Sequence, residues 1–145
     1  MPTRTARTAW TGTVLEGSGQ VELSSSKVGT YDVSFPKRAA EDADGTTSPE
    51  ELIAAAHSSC YSMSFSGLVA RAGGTPRSVE VTSDVTVTKD DKGLRINKIH
   101  LTVRAEVEGL DEAQFQKVAE DAKAGCPVSK ALAGVDEMTL DATME

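Results

Sequence analysis

The sequence lacks several features that mark common classes of protein. It contains only two cysteines in 145 residues, too few for a disulfide framework. Asp and Glu number 22 against 15 Lys and Arg, and this excess of acid disfavours nucleic acids and anionic membrane surfaces as partners. No basic segment followed by an apolar run opens the chain, so we expect no signal peptide and a cytoplasmic location.

Long apolar runs are also scarce. Residues 52–70 carry no formal charge and are long enough to cross a bilayer, but they include five serines and His57. Their hydrophobicity is therefore too low for a membrane span, and we expect a helix buried in protein instead. In a chain that is not secreted, two cysteines are typical of transient catalytic chemistry rather than of a structural disulfide.

The first half of the chain predicts strands and then one long helix. Runs of β-forming residues at 8–14, 20–24 and 31–35 precede residues 35–38, which Pro36 should keep out of regular structure. Ser48, Pro49 and Glu51 form a capping box that begins a helix extending to residue 72 and ending at Gly73. This helix is long for so small a protein and nearly uncharged, so we expect it to be central.

The second half predicts a hairpin, two helices and a last strand. Apolar residues alternate at 79–87 and at 99–107 around a turn at 90–93. Asp111 and Gln114 begin a helix that ends at Gly125, and a shorter helix follows from Cys126 to residue 133. Residues 138–144 alternate as a final strand. The order predicts a single α+β domain over residues 1–145, with curved antiparallel sheets wrapped around the long helix.

The two cysteines lie in different settings. Cys60 falls mid-helix on the stripe that contains Met63, where the ordinary interpretation is a small buried hydrophobe. Cys126 begins a helix in front of Pro127, where backbone N–H groups lower the pKa of a thiol, although it could also be only a cap residue. His57 shares a helix face with Cys60 and could be the base of a Cys–His hydrolase; a hydrogen-bonded core histidine is the simpler interpretation.

Charged and metal-binding candidates are few. His57 and His100 are the only histidines, and with two cysteines they do not give metal-ligand spacing. Arg38 follows a proline in a predicted loop, where an arginine is usually solvated. Glu50 lies in the first turn of the long helix, where a carboxylate usually complements the helix dipole.

Two stretches of the sequence closely resemble the OsmC/Ohr family, the osmotically inducible protein C and organic hydroperoxide resistance proteins. They are residues 46–63, TTSPEELIAAAHSSCYSM, and residues 122–129, AKAGCPVS. The sequence around His57 is similar to that of the OsmC branch of the family. The resemblance implies the OsmC-like fold and an intertwined homodimer with two active sites at the subunit interface. It also implies a cysteine-based peroxidase, similar to peroxiredoxins, that protects against oxidative stress.

The resemblance further implies roles for individual residues. Cys60 matches the peroxidatic cysteine, Cys126 the resolving cysteine and Glu50 the active-site glutamate. Arg38 matches the active-site arginine, with Lys37 as its nearest rival. The family needs no cofactor or metal, and an external dithiol, a dihydrolipoyl group on a protein rather than thioredoxin, restores the oxidised enzyme.

The implied chemistry has a physical basis. A thiolate cleaves the peroxide bond, so Cys60 must be ionised, and a neighbouring cation such as Arg38 would favour the ionised form. Glu50 would hold that guanidinium in a bidentate pair. Oxidation to a Cys60 sulfenic acid would then be followed by a Cys60–Cys126 disulfide.

The same stretches of sequence also lead to expectations for the substrate and for the oligomeric state. Phe35, Tyr61 and Phe65 could line an apolar pocket for an organic hydroperoxide, preferred over hydrogen peroxide, or could simply pack in the core. Ten residues of helix separate Glu50 from Cys60 by roughly 15 Å, so one shared site would need two antiparallel helices from two chains. The alternatives are a non-enzymatic thiol redox sensor or a small-molecule-binding protein of the same fold.

Overall fold

The computed structural model describes all 145 residues as two compact units, residues 1–52 and residues 53–145. The boundary after Leu52 falls inside the long helix α2, Pro49–Arg71, so one continuous helix belongs to both units. No helix is both long enough and apolar enough to cross a membrane. The expectation of one domain over residues 1–145 stays a prediction.

The first unit contains a small antiparallel sheet. Its strands β1 (Arg7–Thr11), β2 (Ser18–Glu22) and β3 (Thr30–Val33) lie in the order β1-β2-β3. The residues after β3 form the short helix α1, Phe35–Arg38, so the expectation that they leave regular structure was wrong. Ser34 accepts a hydrogen bond from the N–H of Lys37, and Pro36 fits the first helical turn because its missing N–H is not needed there.

The first unit has almost no apolar core of its own. Val21 is its only buried hydrophobic residue, while Trp10, Val14 and Tyr31 remain at least 41% exposed. A three-stranded sheet needs a covered apolar face to be stable in water. This unit therefore exposes more of its large apolar side chains than it buries.

Helix α2 begins and ends where its sequence predicts. The Ser48 hydroxyl accepts from the N–H of Glu51 at 3.1 Å, and Gly73 takes the left-handed conformation (φ 89°) after the last turn. The predicted capping box is only half formed, because the Glu51 carboxylate accepts from the Thr47 hydroxyl at 2.6 Å instead. The cap still fixes the start of the helix, and hence the position of every side chain along it.

The second unit contains a mixed three-stranded sheet. Strands β4 (Thr75–Asp90) and β5 (Gly93–Glu108) form the predicted hairpin, closed by Gly93 at φ 114°. Strand β6 (Glu137–Met144) pairs with β5 in parallel, which differs from the all-antiparallel sheet expected from the sequence. Helices α3 (Glu112–Gly125) and α4 (Pro127–Ala131) lie in the chain between β5 and β6, so they form the crossover that a parallel pair requires.

The core of the second unit lies between α2, α3 and β5. The side chains of Tyr61, Phe65 and Val69 from α2 are fully buried against Phe115 and the inward face of β5. The Phe65 and Phe115 rings meet edge to face with centroids 5.5 Å apart. The buried face of α2 is therefore the one that carries Tyr61 and Phe65, while Met63 is 72% exposed. The predicted α+β class with a long central helix is confirmed.

The burial of Phe65 predicts a large effect of its truncation. We expect Phe65→Ala to lower the free energy of unfolding by about 3–5 kcal/mol, because it leaves a cavity in the packed centre of the second unit. Urea unfolding at one fixed protein concentration measures this difference. Leu94→Ala is the matched control, and since Leu94 is 49% exposed we expect it to cost less than about 1 kcal/mol. Equal losses in the two variants would contradict the assignment of the core.

Candidate active site

The two cysteines meet in the second unit. The Sγ atoms of Cys60 on α2 and Cys126 at the start of α4 lie 3.0 Å apart, and both thiols are free. Cys126 is fully buried, whereas Cys60 is partly exposed. A disulfide has its sulfurs about 2.05 Å apart, so a bond between these two needs them to approach by only about 1 Å.

The end of α3 and the start of α4 position Cys126. Its backbone is extended (φ −57°, ψ 126°) between the last residue of α3, Gly125, and the first of α4, Pro127. The N–H of Cys126 donates to the Ala122 carbonyl at 2.9 Å, which ties the residue to the end of α3. This turn leaves the thiol next to the N–H groups of Val128 and Ser129, although neither makes a true side-chain cap with it.

The environment shifts the pKa values of the two thiols in opposite directions. Burial and the neighbouring Cys126 raise the pKa of Cys60. Burial also acts against ionisation of Cys126, but hydrogen bonds from Cys60, from Ser129 and from the N–H of Val128 lower its pKa on balance. The two opposite shifts mean that Cys126 ionises more readily than Cys60, although the N–H of Val128 favours ionisation of both thiols. Within the second unit no cation favours a Cys60 thiolate.

His57 is a buried hydrogen-bonded residue. Its Nε2 atom lies 2.6 Å from the Ser129 hydroxyl, its Nδ1 atom has no partner, and burial lowers its pKa. This contact supports the core interpretation of His57. This contact could not be predicted from the sequence, because His57 and Ser129 are 72 positions apart.

The first unit contains the predicted ion pair. The Arg38 guanidinium holds the Glu50 carboxylate through Nε at 3.1 Å to both oxygens and through Nη2 at 2.6 Å to Oε1. Burial alone would raise the pKa of Glu50, but hydrogen bonds from Arg38 lower it, and the same contact raises the pKa of Arg38. Lys37, the rival cation, instead pairs with Asp44 at 2.7 Å on the surface. The structure thus brings Arg38, not Lys37, to Glu50.

An apolar cavity of about 510 Å³ lies beside Arg38 in the first unit. Phe35 lines it, together with residues that the sequence did not single out: Trp10, Val14, Val33 and Leu52. Their only signal in the sequence was their apolar character in and around the predicted strands. The other two predicted pocket residues, Tyr61 and Phe65, are fully buried in the core of the second unit, and the Tyr61 hydroxyl donates to the Ala119 carbonyl at 2.9 Å.

No cluster of three or more His, Cys, Asp or Glu side chains is arranged to hold a metal ion. A sequence model of the family described as OsmC-like protein matches residues 41–141 of the chain, a range that contains both cysteines and Glu50. The chain belongs to the OsmC-like family. Arg38 lies just outside the matched range.

Individual members of the OsmC-like family are similar over most of the chain. Peroxiredoxin OsmC of Escherichia coli is 40% identical over 91% of this chain and 90% of its own length. Organic hydroperoxide resistance protein OhrA of Bacillus subtilis is 32% identical over 82% of this chain and 84% of its own. The crystal structure of OhrB from Bacillus subtilis superimposes with a TM-score of 0.74 at 25% identity, over 96% of this chain and 98% of that chain. The higher identity to OsmC agrees with the branch expected from the sequence.

The partly buried Arg38–Glu50 ion pair predicts a pH-dependent contribution to stability. We expect Glu50→Gln to lower the free energy of unfolding by about 1–3 kcal/mol at neutral pH, because Arg38 loses its charged acceptor. The pKa of Glu50 is lowered in the folded state, so its contribution is complete above the pH where a free glutamate titrates. It is lost as the pH falls through the lowered value, and the variant should then match the parent.

Urea unfolding at a series of pH values measures this difference. Asp44→Asn is the matched control, because it removes the exposed ion pair with Lys37 from the same unit and should change little at any pH. A Glu50→Gln effect that did not depend on pH would count against the ion pair as its cause.

Proposed function

We propose that this chain is a thiol-dependent peroxidase that reduces organic hydroperoxides, and hydrogen peroxide more slowly, and so protects against oxidative stress. The observation that carries the proposal is the 3.0 Å contact between two free cysteine sulfurs, one partly exposed and one buried. Membership of a family whose members are named for peroxide reduction and hydroperoxide resistance supports a peroxide-related redox role.

The proposed reaction uses the two sulfurs in turn. The Cys60 thiolate attacks the terminal oxygen of a hydroperoxide, the O–O bond breaks, and an alkoxide leaves and takes up a proton to become the alcohol. Cys60 is then a sulfenic acid. The Cys126 thiolate attacks its sulfur, the S–O bond breaks, and hydroxide leaves as the Cys60–Cys126 disulfide forms. The short approach needed between the two sulfurs favours this second step.

The first step needs a cation near Cys60. Burial raises the pKa of this thiol, so the second unit by itself favours its unreactive form. Arg38 is the proposed cation, because a guanidinium stays protonated and can also stabilise the departing alkoxide. Glu50 would orient that guanidinium, and its three hydrogen bonds with Arg38 support this role.

Three observations support a homodimer whose active sites lie at the subunit interface. Helix rise separates Glu50 from Cys60 by roughly 15 Å along α2, too far for one site on a single straight helix. The first unit buries only Val21 among its apolar residues and needs a covering surface. The face of α2 that carries Met63 is uncharged and exposed, which would let a second helix approach closely.

Substrate and reductant complete the proposal. The apolar cavity beside Arg38 suits the alkyl part of an organic hydroperoxide. Of the three predicted pocket residues, Phe35 is the one that lines it. Tyr61 and Phe65 are better explained by core packing, given their complete burial. An external dithiol, proposed to be a dihydrolipoyl group on a protein, would return the disulfide to two thiols without any bound cofactor. A cytoplasmic location remains part of the proposal.

Oxidation with one equivalent of peroxide tests the chemistry directly. We expect cumene hydroperoxide added to the reduced protein to produce an intramolecular Cys60–Cys126 disulfide, found by mass spectrometry of the peptides. With Cys126→Ser, the product should stop at a Cys60 sulfenic acid that dimedone traps. Failure to form either product would contradict the peroxidase.

Steady-state assays separate the alternatives. Turnover with a dithiol should be faster with cumene hydroperoxide than with hydrogen peroxide. A disulfide without turnover would indicate a redox sensor. Hydrolytic activity that survives Cys126→Ser and is lost in His57→Ala would indicate a Cys–His hydrolase.

Mixed dimers test whether each site is shared between two chains. A dimer with Arg38→Ala in one chain and Cys60→Ser in the other keeps one complete shared site, and we expect about half of the parent activity. Differently tagged chains allow this dimer to be isolated. In the matched control both substitutions sit in one chain and the partner is unchanged. A shared site predicts no activity for the control, whereas a site within one chain predicts the reverse pattern.

A further inference from the structure

A buried hydrogen bond joins the helix that carries Cys60 to the helix that Cys126 begins. The imidazole Nε2 of His57 on α2 lies 2.6 Å from the hydroxyl oxygen of Ser129 on α4. His57 lies one turn before Cys60 along α2, and Ser129 lies three residues after Cys126. It is the only hydrogen bond between a side chain of α2 and a side chain of α4, and the proposed reaction does not use it.

Helix α4 has little else to fix its position. It is five residues long, and so short a helix is not stable in water without tertiary contacts. Ser129 is its only buried residue, so no apolar side chain of α4 is buried against the rest of the unit. The position of α4, and with it the position of the Cys126 thiol at its start, therefore depends strongly on the contact of Ser129 with His57.

An apolar residue at position 57 would avoid a loss of stability that the histidine brings. His57 is fully buried, and its Nδ1 atom has no hydrogen-bond partner. A buried polar atom without a partner destabilises the folded state. Core packing alone therefore gives no reason for an imidazole at this position, whereas the hydrogen bond to Ser129 gives one.

We propose that the His57–Ser129 hydrogen bond is a clamp that holds α4 against α2 and thereby keeps the two sulfurs close enough to bond. The clamp and the contact of the sulfurs at 3.0 Å lie side by side, because each joins α2 to the beginning of α4, one helical turn apart along α2. His57 and Ser129 are positioning residues, since they act by placing the two helices.

A clamp of this kind raises the effective concentration of one thiol at the other. Without it, α4 would have more positions available in the reduced protein, and formation of the disulfide would have to restrict them. The clamp and the disulfide therefore stabilise each other, because both restrict the same helix. A hydrogen bond that only stabilised the fold would stabilise the oxidised and reduced forms equally and leave their ratio unchanged.

In the catalytic cycle the clamp acts on the step after peroxide cleavage, and this consequence rests on the proposed function. The Cys126 thiolate has to attack the Cys60 sulfenic acid before a second molecule of peroxide oxidises that sulfur to a sulfinic acid. The attack forms the S–S bond and expels hydroxide from the Cys60 sulfur. A helix α4 that is already in place favours the disulfide over the sulfinic acid.

The midpoint potential of the cysteine pair tests the clamp without any peroxide. The protein is equilibrated in redox buffers made from glutathione at the oxidising end and dithiothreitol at the reducing end. Two protein thiols lose two electrons and two protons to the disulfide form of either reagent, which becomes two thiols. After acid quenching and alkylation, mass spectrometry measures the fractions of disulfide and dithiol protein.

Loss of the clamp should make the disulfide easier to reduce. We expect Ser129→Ala and His57→Leu each to lower the equilibrium constant for disulfide formation about tenfold, the factor that one hydrogen bond typically supplies. The midpoint potential then rises by about 30 mV. His57→Gln keeps an N–H donor in the place of Nε2 and should restore most of the loss. The double variant with Ser129→Ala and His57→Leu should also lose about tenfold, because either change alone removes the bond.

The His100–Thr139 pair offers a matched control. The Nδ1 atom of His100 lies 2.6 Å from the Thr139 hydroxyl, and this contact joins β5 to β6 in the same unit. Neither strand carries a cysteine. Thr139→Val should therefore leave the midpoint potential unchanged, although it removes a hydrogen bond of the same kind.

The outcomes separate the clamp from the peroxidase itself. A raised midpoint potential in Ser129→Ala supports the clamp even if the protein consumes no peroxide. Peroxide turnover together with a potential that stays within the range of the Thr139→Val control refutes the clamp and leaves the peroxidase intact. A parent protein that forms no disulfide in oxidised glutathione also refutes the clamp. If His57→Leu does not fold, by circular dichroism, Ser129→Ala decides alone, because it removes a single oxygen atom.

Discussion

The contact between two sulfurs 3.0 Å apart sets the conditions that the second unit has to meet. It requires α2 to run beside the junction of α3 and α4, and two packing contacts keep it there. The Tyr61 hydroxyl donates to the backbone of α3 at Ala119, and the Phe65 ring packs against Phe115. The aromatic residues of α2 therefore hold the helix beside the cysteine pair, rather than lining a pocket.

The Arg38–Glu50 ion pair and the two cysteine sulfurs belong to different units. The first unit contains Arg38 and Glu50 with an apolar cavity, and the second contains both cysteines and the hydrogen bond between His57 and Ser129. Each unit carries a part of the proposed chemistry that the other lacks. The proposed peroxide cleavage requires both the Cys60 thiol, whose pKa is raised by burial, and the Arg38 cation.

Structural features that depend on a few neighbouring residues could be predicted from the sequence. Ser48 and Gly73 fixed the ends of α2, and the capping box of Asp111 with Gln114 fixed the start of α3. The turn at Gly125 and Pro127 placed Cys126 at the start of a helix. Even Arg38 and Glu50, only 12 positions apart, could be paired through the family resemblance.

Features that depend on contacts between distant parts of the chain could not be predicted from the sequence. A helix without charges has no polar face to show its orientation, so nothing indicated that α2 buries Tyr61 and exposes Met63. The parallel pairing of β6 with β5 and the contact of His57 with Ser129 join segments far apart in sequence. The short helix α1 was not predicted, because Pro36 excludes a strand but fits a loop as well as the first turn of a helix.

The separation of the two cysteines along the chain has a thermodynamic consequence. A bond between sulfurs 66 positions apart closes a large loop in the unfolded chain, and the chain-entropy model assigns such a cross-link about 4 kcal/mol. That is a large share of the stability of an ordinary domain. The oxidised protein would then be markedly harder to unfold than the reduced one. The same free energy would resist reduction, so a weakly reducing dithiol would leave the protein oxidised.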